Sequence, residues 1–380
     1  MKTDIAPTRH FNSASVRVIA SAQSWIEPEA VRQLYEISKH ESVRLAVGFP
    51  DLHPGRGTPV GAAFVTDEMI YPHVIGGDIG CGMALFKTDL LRRDMKLDRW
   101  AALQFNLEHA WDENVGEFLA AHELESTEFN RVLGSLAGGN HFAELQAVER
   151  VVDAAEFKRT GIGKEQLVAL VHSGSRGLGE RVLRDYVHQH HGNGVPVDSP
   201  AAREYLRGHD FAVRWARVNR ALIAQRFAAA LGAEAECVWD GCHNSIAARE
   251  VAEGTVWVHR KGAVANEGEP VMIPGSRGAL SYLVKPIGDG APHAWSLAHG
   301  AGRKWSRSES RLRMRERFSV MELIQTPLGG RVICEERDLL YEEAPAAYKN
   351  IEAVIQDLVD AGLVSVIATF RPVLTYKVRK

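Results

Sequence analysis

Apolar positions recur along this chain with two different periods. Helical spacing after Pro28 predicts a helix over residues 26–39, and the same spacing predicts long helices over 97–123 and 199–231 and a shorter one over 346–360. The segment 199–231 runs up to a glycine, where helices often end. We interpret the two long helices as scaffold.

Short apolar runs separated by glycine and proline predict strands. Between residues 43 and 86 the runs are VRLAVGF, GAAFV, MIYPHVI and MALFKT, and the loops between them are predicted to carry Asp51, His53, Asp78 and Cys81. Buried strands are also predicted at LVALVHSG, TVWVHRKGA, VMIPGS and LSYLVKP, and the chain ends in two strand-like segments, LVSVIATF and PVLTYKV. Because functional groups collect where strands stop, we expect a site at these ends.

The composition is that of a globular enzyme with a sizeable core. Of the 380 residues, 45% are hydrophobic and 24% are charged. The sequence has no internal repeat and no proline- or serine-rich linker, and residues able to bind a metal are interleaved from 78 to 299. Since a division into two functional domains would divide that site, we predict one compact α+β domain over residues 1–380.

Net charge and cysteine content limit the kinds of binding partner and cellular compartment that suit this protein. A net charge of −3 argues against a protein that coats nucleic acid by bulk electrostatics, so any such contact needs a local basic patch. The four cysteines form no CxxC pair, which favours a reducing environment. The segment MKTDIAPTRHFNSASVRV lacks the apolar stretch of a secretion signal, and no run of about 18 apolar residues follows. We expect a soluble, cytoplasmic protein.

Four short glycine-rich segments carry candidate metal ligands. They are DIGCG with Asp78 and Cys81, GGNHF with His141, HSGSRG with His172, and CHN with His243. Any one of these cysteine or histidine residues alone would more often be structural. Together, carboxylate, thiolate and imidazole exclude a simple calcium site and suit manganese, zinc, iron or nickel, and a thiolate can bridge two divalent ions. The set predicts a metal-centred active site.

A further histidine lies at the start of the segment HGAGRKWSRSESRLRMRER. His299 has the chemistry of a covalent nucleophile, and a phosphoryl group beside it would need cationic clamps. Arginines recur here every four residues, which predicts one face of a helix beginning near the glycines: Arg303, Arg307, Arg311 and Arg315. The arginines at the carboxy end of this segment are explained equally well by a solvated charged helix in which Glu309 and Glu316 are their partners. That interpretation does not explain HGAGR at the amino end.

Many motifs agree in order and spacing with one family. GGDIGCGM, LAGGNHFAELQ, HSGSRGLG, CHNSIAARE, VHRKGA, IPGSRGALSY and SLAHGAGRKWSRSE resemble the RtcB family of RNA-splicing and RNA-repair ligases, from PDLHPGRG at 50 to VLTYK at 377. The resemblance implies mixed β-sheets around a central metal cleft, flanked by helices. It also implies a GTP-dependent ligase with two Mn(II) ions. Such a ligase joins RNA 3′-phosphate or 2′,3′-cyclic phosphate ends to 5′-hydroxyl ends.

The same resemblance assigns roles to residues of this chain. Five become metal ligands, with Cys81 as the bridge: Asp78, Cys81, His141, His172 and His243. His299 becomes the nucleophile that carries GMP before an RNA-3′-pp-5′-G end forms. The resemblance assigns nucleotide binding to Asn140, Glu144, Ser276, Ser281, Gly300, Arg303 and Lys377. Glu144 would face the N–H groups of guanine. Phosphates would be bound by Arg176, Arg303 and Arg307. For Lys377, an exposed charge in a terminal strand is the competing interpretation.

The chain also departs from the family pattern. It is short, and five positions differ from the usual residues: Gly77, Cys242, Arg277, Lys304 and Trp305. Arg277 and Trp305 would reshape the pocket for the RNA end, which favours a divergent repair-type branch. Two other functions stay open. One is a metal-dependent cyclic-phosphate hydrolase or phosphodiesterase that forms no covalent nucleotide, and the other is a non-catalytic RNA-end binding protein that uses the basic run 303–317.

Overall fold

Strands and helices contribute similar shares of the fold, as the predicted α+β class requires. The computed structural model describes residues 14–21, 24–111, 113–136 and 138–379. Within these ranges the strands are β1 (Ser15–Val18), β2 (Val43–His53), β3 (Val60–Thr66), β4 (Met69–Ile70), β5 (Gly82–Leu91), β6 (Phe142–Val151), β7 (Gln166–Ser173), β8 (Val195–Pro196), β9 (Ala235–Cys242), β10 (Asn244–Val251), β11 (Gly254–Lys261), β12 (Ala263–Ala265), β13 (Val271–Ile273), β14 (Ser281–Pro286), β15 (Ser296–Ala298), β16 (Arg331–Cys334) and β17 (Val364–Val378). The α-helices are α1 (Pro28–Ser38), α2 (Pro72–Ile75), α3 (Leu97–Ala101), α4 (Val115–Ala121), α5 (Ala154–Arg159), α6 (Gly177–His190), α7 (Pro200–Ala230), α8 (Arg307–Arg317), α9 (Val320–Ile324), α10 (Arg337–Glu342) and α11 (Ile351–Asp360).

Two large mixed sheets organise these strands. The larger has the order β13-β14-β17-β6-β7-β5-β9, with β16 beside β17, and the smaller has the order β1-β2-β3-β11-β10. The pairs β1–β2 and β16–β17 are parallel and the other pairs of the two sheets are antiparallel. The expected mixed sheets are therefore present.

Strand β7 shows how the larger sheet is buried on both faces. Leu167, Ala169 and Val171 share a core with Phe227 of helix α7, whereas the alternate residues Val168 and Leu170 belong to a second core with Phe157, Met272 and Leu283. The alternation follows from the two-residue period of a strand. It directs the next alternate position, His172, away from helix α7.

Helix α7 agrees with the prediction for 199–231. Ser199 caps its amino end by accepting a hydrogen bond from the Ala202 N–H at 3.1 Å, and Pro200 occupies the first turn. Gly232 follows the helix with φ of +76°, a conformation that favours glycine. This helix is the scaffold beneath the larger sheet.

The predicted helix over 97–123 is wrong. Helix α3 ends at Ala101 and α4 begins at Val115, while residue 112 lies outside the described residues. Asn106 between them has φ of +54°, which breaks a helical path and lets Phe105 and Leu107 enter the core beside α7. Tertiary packing overrides the local apolar spacing here.

Strand β2 is longer than its sequence pattern predicts. It runs to His53, so Asp51 and His53 lie in a strand and the prediction of a loop is wrong. The ladder with β3 is interrupted between Gly48 and His53, and Pro50 lies in that irregular stretch. Proline marked a turn in the sequence, but a strand tolerates it where no ladder hydrogen bond is needed.

Two further boundaries near the carboxy end differ from prediction. Helix α8 begins at Arg307, because Ser306 and Glu309 form a capping box, and Arg303 pairs with Tyr348 outside the helix. The two predicted terminal strands form one strand, β17, whose ladder with β6 shifts register around Pro372. The predicted helix over 346–360 is confirmed from residue 351 onward as α11.

The prediction of one domain over 1–380 includes residues 1–13 and 380, which lie outside the described residues, and it stays a prediction. The amino-terminal segment considered for a secretion signal also falls largely there. Every helix in the described part of the chain is too short or too polar to cross a bilayer.

Gly80 provides a test of how tightly the loop after α2 packs on helix α7. Its φ is +76°, and a Cβ there would lie 2.9 Å from the Cβ of Ala216. We expect Gly80→Ala to lower the free energy of unfolding by roughly 2–5 kcal/mol, since backbone strain and overpacking add. Urea unfolding measures this loss.

Gly57→Ala is the matched control. Gly57 has the same φ of +76°, but a Cβ added there would have no neighbouring atom within 4 Å. We expect it to lose only the backbone strain, roughly 1–2 kcal/mol. Equal losses in the two variants would contradict tight packing of this loop.

Candidate metal centre and adjoining cavity

The ends of four adjacent strands meet at one edge of the larger sheet. The antiparallel register pairs Gly82 of β5 with Ser173 of β7 and with Cys242 of β9, and it pairs Phe142 of β6 with His172. The candidate ligands at or next to these paired positions are Cys81, His141, His172 and His243. Strand pairing thus brings together segments that are far apart in the sequence.

The loop carrying Asp78 and Cys81 is tied to the strand ends by backbone hydrogen bonds. The Cys81 carbonyl accepts from the His243 N–H at 2.8 Å. Asn244 accepts from the Gly80 N–H through its carbonyl at 2.9 Å and donates from its side chain to the Asp78 carbonyl at 3.2 Å. Gly174 lies against the same loop, where a Cβ would come within 2.1 Å of the Asp78 carboxylate. Gly174 therefore leaves space for the carboxylate of Asp78, one of the predicted metal ligands.

Arg220 of helix α7 holds the loop from behind. Its guanidinium is fully buried and donates to the carbonyls of Gly80 at 2.7 Å and Ser173 at 2.8 Å. Asp240 of β9 accepts from the remaining nitrogens at 2.8 and 2.7 Å, which balances the buried charge. Nothing in the sequence marks Arg220 as part of the site, because there it is one more residue of a long helix.

Among the described residues, the ligand atoms form two groups that share Cys81. One group is Cys81, His172 and His243, the other is Asp78, Cys81 and His141, and within each group the atoms lie within 4.8 Å of one another. The Cys81 sulfur is 3.2 Å from Nε2 of His172 and 3.4 Å from Nε2 of His141. Nε2 of His141 is also 3.2 Å from the Asp78 carboxylate. A shared thiolate between two such groups is suited to bridge two cations.

The protonation of this cluster is set by burial. Burial lowers the pKa of His172 and His243 well below the usual range, so both imidazoles are neutral. Nδ1 of His172 donates to the Asn140 carbonyl at 3.2 Å, which leaves Nε2 free to bind a metal. Burial and the neighbouring Asp78 raise the pKa of Cys81, so its thiol needs a bound cation to ionise. The donor set fits a transition-metal ion.

His299 follows β15 and lies beside the cluster. Its ring centroid is 4.7 Å from that of His243. Nδ1 donates to the buried Asp51 carboxylate at 2.7 Å, and the His299 backbone N–H donates to the same oxygen at 3.3 Å. In the neutral ring this contact selects the tautomer that carries its proton on Nδ1 and has its lone pair on Nε2. Nothing local in the sequence gives Asp51 a role, because its partner His299 lies 248 positions away.

Lys349 stabilises the strand that carries Asp51. Its ammonium donates to the carbonyls of Pro50 at 3.0 Å and Leu52 at 2.6 Å. These carbonyls belong to the stretch of β2 that the ladder with β3 leaves irregular. Lys349 therefore supplies the hydrogen bonds that the interrupted ladder lacks.

A cavity extends from His299 along strands β6 and β17. Most of the predicted nucleotide- and phosphate-binding residues line it: Asn140, Glu144, Ser276, Gly300, Arg303, Arg307 and Lys377. Ser281 contacts the cavity wall indirectly, because the Gln146 side chain donates to the Ser281 hydroxyl at 2.9 Å and to the Glu144 carboxylate at 2.6 Å. Arg176 is electrostatically coupled to Asp78 and adopts a φ of +60° ahead of helix α6.

A carboxylate and a lysine form the far end of the cavity. Burial raises the pKa of Glu144, although Thr375 and Gln146 donate hydrogen bonds to its carboxylate. Burial lowers the pKa of Lys377 to about 8, with Glu343 opposing the shift. Lys377 is only 5% exposed, so the competing interpretation of a solvated terminal lysine is wrong.

The predicted phosphate clamps differ in their freedom. Arg303 is held by Glu343 at 2.9 Å, by the Glu342 carbonyl at 2.8 Å and by Ser310 at 3.0 Å. Arg307 is exposed and lies 3.5 Å from the Asn140 side chain. The far arginines of α8, Arg311 and Arg315, both bind Asp338 of α10, instead of the predicted glutamates. Of these arginines, Arg307 is the one placed for an incoming phosphate.

The comparisons with known proteins identify relatives along nearly the whole chain. A family model described as tRNA-splicing ligase RtcB matches residues 33–133 and 119–378. RNA-splicing ligase RtcB2 of Escherichia coli is 43% identical over 370 residues, covering 96% of each chain. RNA-splicing ligase RtcB of Mycobacterium bovis is 30% identical over 421 residues, covering 87% of this chain and 96% of that one. tRNA-splicing ligase RtcB of Methanococcus maripaludis is 27% identical over 420 residues, covering 87% of each.

The two ligand groups predict a specific pattern of metal binding. We expect the protein to bind two Co(II) ions and to show a thiolate-to-cobalt charge-transfer band. Cys81→Ala should abolish the band and weaken both ions by more than about 10-fold, whereas His243→Ala should weaken only one. Calorimetric titration and absorption spectra with Co(II) measure both effects.

Cys334→Ala is the matched control, because Cys334 is buried in a separate core beside Met314 and Leu339. It should keep the band and both ions. Two-ion binding of wild-type strength in Cys81→Ala would show that the groups do not share this sulfur.

Proposed function

This chain belongs to the RtcB family of RNA ligases, and from that premise we propose that it joins RNA 3′-phosphate or 2′,3′-cyclic phosphate ends to 5′-hydroxyl ends with GTP as cofactor. The observation that carries the proposal is the position of His299. Asp51 orients the His299 ring, whose centroid lies 4.7 Å from that of His243. His299 also lines a cavity that contains the Glu144 carboxylate.

Two manganese ions fit the two ligand groups. Asp78, Cys81 and His141 would hold one, and Cys81, His172 and His243 the other. When bound, such ions offset the negative charge of a triphosphate and of an RNA phosphate. Because Cys81 belongs to both groups, its thiolate would contribute to holding both ions.

The first step is a nucleotidyl transfer to His299. Because the Asp51 carboxylate accepts a hydrogen bond from Nδ1–H, the lone pair of Nε2 in the neutral ring is available to attack the α-phosphorus of GTP. A nitrogen–phosphorus bond forms, the bond to the bridging oxygen breaks, and pyrophosphate leaves. The product is GMP carried on His299 as a phosphoramidate.

The cavity supplies the contacts for the nucleotide. At its far end the Glu144 carboxylate can accept from guanine N1–H and from the exocyclic amino group. Lys377 supplies a cation beside Glu144, and Arg307 with Asn140 faces the phosphates nearer His299. These contacts position the α-phosphate for attack and favour guanine over adenine, whose ring N1 has no proton.

Two transfers complete ligation of a 3′-phosphate end, and a 2′,3′-cyclic end would first add water and break its bond to the 2′-oxygen to give that 3′-phosphate. An oxygen of the RNA 3′-phosphate attacks the phosphorus of the His299 adduct, so that GMP passes to the RNA end and Nε2 is freed. The 5′-hydroxyl then attacks the RNA phosphate, loses its proton, and displaces GMP. Each step uses a phosphorus centre held between His299 and the ligand groups, which is why one site can serve all three.

His299→Ala separates the ligase from the two other candidate functions. We expect wild-type protein with GTP and Mn(II) to gain the mass of GMP, and His299→Ala to form no adduct and to join no RNA ends. Intact-mass spectrometry and a ligation assay with defined RNA ends measure this.

A hydrolase gives a different pattern. It would open a 2′,3′-cyclic end with His299→Ala but not with Cys81→Ala, and the wild type would form no adduct. RNA binding without adduct or turnover in the wild type would indicate the non-catalytic function, so either pattern contradicts ligation by this route.

Asp51→Asn tests the orientation of His299. An amide can donate to Nδ1 and thereby favour the opposite tautomer, so we expect adduct formation to slow by roughly 10²- to 10⁴-fold. Rapid-quench measurement of the GMP adduct gives the rate. Metal binding serves as the control and should be unchanged, since Asp51 belongs to neither ligand group. A wild-type rate would exclude this role for Asp51.

A further inference from the structure

A buried arginine lies in the cavity without filling its hydrogen bonds. Arg277 is 7% exposed, and its Nη2 donates to the Leu340 carbonyl at 2.8 Å. Its Nε and Nη1 have no hydrogen-bond acceptor among the described residues. Each buried donor left unpaired costs about 1–3 kcal/mol, and more on a charged group. Such a group in a folded protein calls for a partner, which can be a bound ligand or an ordered water.

The backbone holds Arg277 in this place. The Ser276 carbonyl accepts from the Ala279 N–H at 2.8 Å, which closes a turn with Arg277 at its second position. Gly278 follows against Pro345, where a Cβ would lie 2.8 Å from the proline ring. The close packing of Gly278 on Pro345 holds the turn in place, so the Arg277 guanidinium stays in the cavity wall.

The surroundings of Arg277 are those of the base-binding end. It lines the same cavity as Glu144, Thr375 and Lys377. It interacts electrostatically with Glu144 and Glu343, and it acts on Lys377 as a neighbouring cation. Burial lowers its pKa, but an arginine side chain keeps its proton at neutral pH.

We propose that Arg277 reads the N7 acceptor of the guanine base with the unpaired Nη1 of its guanidinium. This inference rests on the proposed function, because it assumes a guanine nucleotide in this cavity. With Glu144 on N1–H and the 2-amino group, the remaining polar edge of guanine offers the acceptors O6 and N7, which arginine also binds in DNA recognition. Nε–H and Nη1–H point to different sides of the guanidinium, so Nη1 makes this contact alone.

The test uses nucleotides that lack one group each. Calorimetric binding is measured for GMP, for 7-deaza-GMP, which lacks N7, and for IMP, which lacks the 2-amino group, all with Mn(II). We expect the wild type to bind 7-deaza-GMP roughly 10- to 100-fold more weakly than GMP, since a hydrogen bond to a charged donor is lost. Arg277→Met, which keeps an unbranched side chain, should bring this ratio close to one.

The IMP ratio is the internal control. It reports the contact of the 2-amino group with Glu144, so Arg277→Met should leave it at the wild-type value. Arg277→Lys keeps the charge, but its side chain places no nitrogen at the Nη1 position, and it should lose most of the discrimination against 7-deaza-GMP. Thermal unfolding confirms that each variant is folded, and the lysine variant serves if the methionine variant is not.

The outcomes separate this inference from ligation. Equal binding of GMP and 7-deaza-GMP by the wild type, or an unchanged ratio in a folded Arg277 variant, overturns the role of Arg277 and leaves it a structural residue for Leu340. If the GMP preference follows Arg277 but no adduct forms with GTP, the inference holds and the ligase proposal fails.

Discussion

The buried ion pair of Arg220 and Asp240 is the interaction on which the metal centre depends. Arg220 reaches from helix α7 to the carbonyls of Gly80 and Ser173, so one side chain connects the ligand loop, the end of β7 and, through Asp240, strand β9. Removing one member of such a pair leaves an uncompensated buried charge and costs about 3–5 kcal/mol. Here it would also release the backbone that aims Asp78, Cys81 and His172 at one point.

Burial keeps the thiol and two of the imidazoles of the ligand cluster uncharged until a cation binds. The cluster gathers a thiol with a raised pKa, two imidazoles with lowered pKa values, and a carboxylate in one place. Protein packing therefore maintains an arrangement that bound cations would then stabilise, which couples metal affinity to the stability of the loop. The backbone ties through Asn244 matter for the same reason, because they hold the loop in the geometry that binding requires.

Much of the site was predictable because its chemistry is local in the sequence. Glycine next to a ligand signals a tight approach of backbone, and the structure uses Gly80 and Gly174 in that way. Long periodic segments such as α7 were predictable for similar reasons. Asp51 and Arg220 were not, because their partners lie far away in the chain and only strand register brings them together. The failed helix over 97–123 shows the converse, since apolar spacing cannot reveal that Asn106 turns the chain into the core.

The departures from the family pattern act at three different places. Cys242 lies behind the ligands, where its thiol donates to the Asn244 carbonyl at 3.4 Å, so it supports the loop without joining either ligand group. Trp305 lines a groove outside the cavity, beside Arg307, with the Arg313 guanidinium 5.0 Å from its ring. Arg277 alone of these residues lines the cavity. The two departures predicted to act on specificity, Arg277 and Trp305, therefore line different cavities, and a substitution at one can be tested without changing the wall of the other.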